Sequence, residues 1–116
     1  MSDIWGYQPT SGYIAGASLI GYKVEATDGS IGKVDRHSDE VGASYLVVDT
    51  GVWIFGKHVL LPAGTVSRID DAEEKIYVER TKAEIKDAPE FDMDKHLGDA
   101  GYHEQVGVYY AGWHRA

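Results

Sequence analysis

The chain has no cysteine, and among its 116 residues only three prolines and two phenylalanines. Without thiols there can be no disulfide, thiolate metal site, cysteine nucleophile or thiol redox switch, and the composition suits a reducing, cytoplasmic setting. Positive charge is also scarce: 11 Lys and Arg stand against 19 Asp and Glu, a formal net charge of −8. A protein that grips bare DNA or RNA sets Lys and Arg against phosphates. Here the basic residues never cluster beyond isolated pairs, so direct nucleic-acid binding is not expected. Lys23, Lys33, Arg36, Lys57 and Arg68 would form a basic patch only in three dimensions, and scattered Lys on strand faces usually serve solubility. No apolar run approaches the ~20 residues of a membrane span. The start, Met1 to Pro9, lacks the basic and apolar segments of an export signal. A soluble protein with no membrane span is expected.

What is present is β-type patterning. Residues 19–80 hold short apolar runs broken by Gly- or Asp-rich turns, and the chain is long enough to bury roughly two-thirds of its unfolded surface as one domain. Strand one alternates, with Tyr22, Val24 and Ala26 on one face. Asp28-Gly29 then signals a hairpin. In strand two, residues 31–37, Ile31 and Val34 lie three apart, which requires a bulge or bend at Gly32. Strand three, 44–49, points Leu46 and Val48 inward and turns at Gly51. Strand four runs through Val52, Trp53, Ile54 and Phe55, yields at Gly56, resumes at 58–61 and ends at Pro62, which has no N–H to donate. Strands five (65–69) and six (75–80) flank an acidic turn, with Ile76 and Val78 inward. Six short antiparallel strands favour closure into a small barrel, which removes both edges. The expected organisation is an irregular N-terminal arm (1–18), the barrel (19–80) and an acidic, aromatic, partly helical C-terminal extension (81–116).

The order Gly21-x-x-Val24, Asp28-Gly29-x-Ile31-Gly32-x-Val34, then Leu46-Val47-Val48 and an apolar run ending in Pro62, resembles the PRC-barrel family. The resemblance covers residues 19–80. It implies a barrel whose relatives bind other macromolecules rather than catalyse reactions, as in the reaction-centre H subunit and a ribosome maturation factor. The matching residues are ones the fold requires, so the resemblance transfers architecture and no active site. No counterpart of the first protein's membrane helix or the second's preceding barrel is expected here.

No catalytic constellation stands out, and no enzyme activity or cofactor is expected. The carboxylate pairs Asp70/Asp71 and Glu73/Glu74 fall at a hairpin tip, where solvated charge is the plain reading. Their spacing lacks the alternating ligands and central Gly of a calcium loop. Ser18, Ser30, Ser38, Ser44 and Ser67 lack a nucleophile-elbow setting, and there is no Gly-rich phosphate loop. The histidines offer no His-x-x-x-His pair. His96 and His103 share a helical side interrupted by Gly98 and Gly101, and no metal site is expected. His58 reads as a half-exposed strand position and His37 as a strand end.

The extensions carry the remaining information. Thr81-Lys82-Ala83-Glu84 reads as a capping box that starts a short helix through Asp87, stopped by Pro89. Tyr102, Val106, Tyr109 and Tyr110 share one face of a second helix, one that Gly107 weakens by ~1 kcal/mol relative to Ala. With Trp113 and the arm residues Trp5, Tyr7 and Tyr13, these aromatics must pack on something. Either they fold back over their own barrel, or, with Trp53 and Phe55, they form an interface for a protein partner or a second copy as a homodimer. The function expected is thus a non-catalytic interaction module. The alternative is a small-molecule or metal binder whose pocket is lined by Trp53, Tyr102 and His103. A ribosome or RNA-processing accessory role, by family analogy, is the weakest reading.

Overall fold

A computed structural model of the chain describes residues 4–7, 11–12, 18–38, 44–51, 58–88, 91 and 99–114, with the backbone alone at 112–114. Six strands form one sheet: β1 (Lys23–Ala26), β2 (Gly29–Ser38), β3 (Tyr45–Asp49), β4 (His58–Pro62), β5 (Val66–Asp70) and β6 (Lys75–Val78). Among the described residues two helices follow, α1 (Lys82–Lys86) and α2 (Ala100–His114). The first half of the expected fourth strand, with Trp53, Phe55 and the Gly56 break, lies outside the described residues.

The strand order is β4-β3-β2-β1-β6-β5. Five spacings of about 4.8 Å would hold the edge strands of a flat sheet roughly 24 Å apart. Yet β4 and β5 are joined only by the 3₁₀ turn Ala63–Thr65, a link that reaches about 14 Å at most. The sheet must therefore curl until its two edges approach at this corner. No ladder joins β4 to β5 among the described residues, so the sheet is open there and does not form the closed barrel expected.

A second correction concerns direction. β1 and β6 pair in parallel, while the other four pairings are antiparallel, so the sheet is mixed. Ladder parity explains this. β4 and β5 run in the same sense, because the turn after Pro62 bends the chain instead of reversing it; β6, hairpinned to β5, then returns parallel to β1. The corner is held by a hydrogen bond of 2.8 Å in which Thr65 Oγ1 donates to the Pro62 carbonyl.

The local devices read from the sequence are present. Asp28 lies in the turn between β1 and β2 and accepts the Lys82 N–H at 2.8 Å, while Gly29 has φ +144°. Val24 pairs with Gly32 and Glu25 with Ser30, so Ile31 is the extra residue of a bulge. That bulge turns both Ile31 and Val34 inward. Gly51 has φ +57°, and its N–H is capped by Asp49 Oδ1 at 2.9 Å. Pro62 ends β4 opposite Tyr45. Thr81 and Glu84 form the full capping box, and Asp87 is the C-cap of α1.

Val24, Ile31, Val34, Leu46, Val48, Leu61, Val66, Ile76 and Val78 are buried and define the inner face. β3 is buried on both sides, as Val47 is enclosed along with Leu46 and Val48. The second side is closed by α2, which packs against β4. The sheet edges are covered by the chain itself. The Ser11 carbonyl accepts from Ile69 N–H of β5 at 2.7 Å, the Ile4 carbonyl accepts from Gly64 at the corner, and Phe91 bridges to His58 of β4. Covering edges in this way blocks further strand pairing.

Candidate functional site

The aromatics expected to form a docking surface are for the most part inside. Tyr102, Val106 and Tyr110 are 5%, 1% and 0% exposed, so this part of the expected interface is corrected: these side chains complete the core of their own chain. The reason is geometric, since the apolar stripe of α2 meets the second face of β3 and β4. Tyr109 is half-buried and donates its hydroxyl to the Glu84 carbonyl at 2.6 Å, tying α2 to α1. Trp113 belongs to α2, but its side chain, like Trp53 and Phe55 entirely, lies outside the described residues.

Of the pocket expected around Trp53, Tyr102 and His103, Trp53 lies outside the described residues, and the other two rings are packed against their own chain. The His103 ring stacks on Trp5 (centroids 5.4 Å apart, 26° between planes) and meets Tyr45 edge-on at 5.3 Å. Tyr102 packs against Phe91 at 5.6 Å. Sequence reasoning treated Gly107 as a weakness of this helix, but the structure gives it a role. A methyl group there would stand 2.7 Å from Trp5 Nε1, so the bare glycine is what lets the arm's indole seat against α2. Gly107→Ala should lower stability by about 1–3 kcal/mol through overpacking, although propensity alone would raise it. In a Trp5→Ala background the same change should raise stability. Chemical denaturation of the four proteins in that cycle checks both signs.

Tyr110 is held from below by Arg80, which is itself buried. Arg80 Nη2 donates to the Tyr110 carbonyl at 3.0 Å, and its guanidinium lies 5.9 Å from the Tyr110 ring. The Tyr110 hydroxyl has no hydrogen-bond partner among the described residues. Burial, reinforced by Tyr109 and Tyr102 and opposed by Arg80, pushes its pKa well above the ordinary tyrosine range. Above about pH 10 the unfolded chain gives up this proton while the folded chain keeps it, so stability falls as pH rises, by up to about 1.4 kcal/mol per pH unit from this group. Tyr110→Phe removes an unsatisfied buried hydroxyl and should stabilise by about 1 kcal/mol at neutral pH. It should also flatten the loss above pH 10; urea titrations at pH 7 and pH 10.5 measure both effects.

Ile20 and Val108 are exposed hydrophobics among the described residues, and exposed charge gathers at the β5–β6 tip. Asp70 Oδ1 accepts the Glu73 N–H at 3.1 Å, and Glu74 turns the chain at φ +53°. Its carbonyl accepts from Lys23 N–H at 3.0 Å. The Tyr22 hydroxyl donates to Asp71 Oδ1 at 2.8 Å, and that bond raises the Tyr22 pKa. Asp71, Glu73 and Glu74 are exposed, so the tip presents carboxylates on a backbone braced against β1. Such a tip attracts cationic surfaces and lacks the enclosed setting that splits the protonation of paired carboxylates. The sequence showed the acids; it did not show their brace, because Tyr22 lies 49 residues from Asp71 in the chain.

Among the described residues no group of three His, Asp or Glu side chains could hold a metal ion. His37, read as a strand end, accepts the Leu19 N–H on Nε2 at 3.2 Å, which requires that nitrogen to be unprotonated. His58 Nε2 lies 3.7 Å from Asp35 Oδ2. Among the described residues no helix is long and apolar enough to cross a membrane. No family model matches the chain, and no curated protein matches it.

Proposed function

We propose that this chain is a non-catalytic interaction module of the PRC-barrel type, and that its braced acidic tip docks a basic protein surface. The observation that carries this reading is the Tyr22–Asp71 hydrogen bond, which ties one carboxylate of the exposed acidic tip to the residue just before β1. The curled six-stranded sheet with its Asp28-Gly29 hairpin and Gly32 bulge supports the family assignment. The net charge of −8 favours a basic partner over bare nucleic acid, and the cysteine-free composition suits a cytoplasmic setting. Because Tyr102, Val106 and Tyr110 are occupied within their own chain, electrostatic complementarity rather than an aromatic patch sets the partner's chemistry.

Capture of binding proteins on the immobilised chain, at about 0.1 M and 1 M salt, tests the proposal. Proteins of high pI should be retained at the lower salt, released at the higher, and lost by a Glu73→Lys/Glu74→Lys variant. Equal retention by the variant, or a partner set without basic bias, would overturn it. Retention of the chain itself would favour self-association instead.

A further inference from the structure

β2 and β3 separate at the last rung of their ladder, where Lys33 stands opposite Asp49. Beyond it the Asp49–Thr50 backbone passes close over Gly32 and the chain turns at Gly51, while β2 continues through Gly32 and Ile31 to Ser30, still paired with β1. A cleft of about 390 Å³ lies at this end of the ladder, lined by residues 30–33 and 49–51. That volume lies at the lower end of the range that holds small ligands.

The groups around this cleft are uncommitted in a particular way. Lys33 and Asp49 oppose each other across an antiparallel rung, yet among the described residues the ammonium forms no ion pair and the Ser30 hydroxyl makes no hydrogen bond. Among the same residues Asp49 engages Oδ1, to cap the Gly51 N–H, and leaves Oδ2 available. One cation, one anion and one hydroxyl therefore border a recess whose walls include the bare backbones of Gly32 and Gly51.

We propose that this cleft binds a free α-amino acid in its zwitterionic form. The ligand carboxylate sits on the Lys33 ammonium with Ser30 as a second donor, and its ammonium sits on Asp49 Oδ2. The ligand side chain lies along the backbone of residues 31–32, since the Ile31 side chain is turned to the inner face. A ligand of one charge would satisfy one rim group and face its opposite uncompensated, whereas a zwitterion meets both with charge-assisted hydrogen bonds. Opposed residues on an antiparallel rung have Cα atoms about 4.5–5.5 Å apart, which lets one small molecule span both head groups. The site is separate from the acidic tip and does not depend on the docking function.

The test is a titration of the full-length ¹⁵N-labelled chain with glycine, L-serine and L-leucine, followed at the Gly32 and Gly51 amides. N-acetyl-L-leucine, which lacks the ammonium, and L-leucinamide, which lacks the carboxylate, serve as controls. At least one amino acid should give saturable shifts, with both blocked analogues of leucine at least tenfold weaker than leucine. Lys33→Gln should weaken leucine at least tenfold and abolish its advantage over leucinamide. Asp49→Asn, which keeps an oxygen for the Gly51 N–H, should abolish the advantage over N-acetyl-leucine. Both positions are exposed, so the fold should survive, and an unchanged amide spectrum of each free variant verifies that. Absence of saturation with all three amino acids, or equal binding of the blocked analogues, would overturn the proposal.

Discussion

Gly32→Ala should cost the protein about 3 kcal/mol or more, lowering Tm by roughly 10 °C or abolishing the cooperative transition. The added methyl would lie 2.0 Å from the Asp49 carbonyl oxygen and 3.0 Å from Thr50 Cα, backbone atoms at and just past the last rung of β3. Neither can retreat as a flexible side chain would. The residue also has φ +153°, a conformation that L side chains rarely adopt. Relief would require breaking the Lys33–Asp49 rung or straightening the bulge, and straightening would move Ile31, now 1% exposed, off the inner face. Gly51→Ala is the control. Its φ is also positive, but nothing lies within 4 Å of the added carbon, so only the conformational cost of about 1 kcal/mol applies. Thermal melts of the two variants separate close approach from backbone preference.

How much of this was legible depended on how far apart the cooperating residues lie. The Asp28 hairpin, the Gly32 bulge, the Thr81–Glu84 capping box and the helical face of Tyr102, Val106 and Tyr110 are all written in short spacings. Each is present in the structure. The parallel pairing of β1 with β6 was not legible, because Pro62, Ala63 and Gly64 look like any strand-ending turn. Whether such a turn reverses the chain or bends it is decided by the sheet it must rejoin. Gly107 was misjudged for the same reason: its partner Trp5 comes from the other end of the chain. The candidate docking surface was only partly readable, since a stripe of tyrosines looks the same whether it covers its own sheet or another protein. Burial separated those two outcomes for Tyr102, Val106 and Tyr110, while Trp53, Phe55 and the Trp113 side chain lie outside the described residues.

The central claim is that the C-terminal segment belongs to the core. A chain ending at Ala88 would lose Phe91, Tyr102, Val106 and Tyr110, all buried. It would also uncover Leu60 and Val47 and leave Arg80 without the Tyr110 carbonyl. Removing even one large buried aromatic costs about 3–5 kcal/mol, against a total stability of roughly 5–15 kcal/mol for a domain. The sheet alone should therefore not persist. Circular dichroism and light scattering of this shortened chain beside the full one make the most direct test. The account predicts loss of the sheet signal and of the cooperative melt, with aggregation of what remains. A folded, monomeric shortened chain that melts as the full protein does would contradict it and return the C-terminal aromatics to the role of a detachable docking arm.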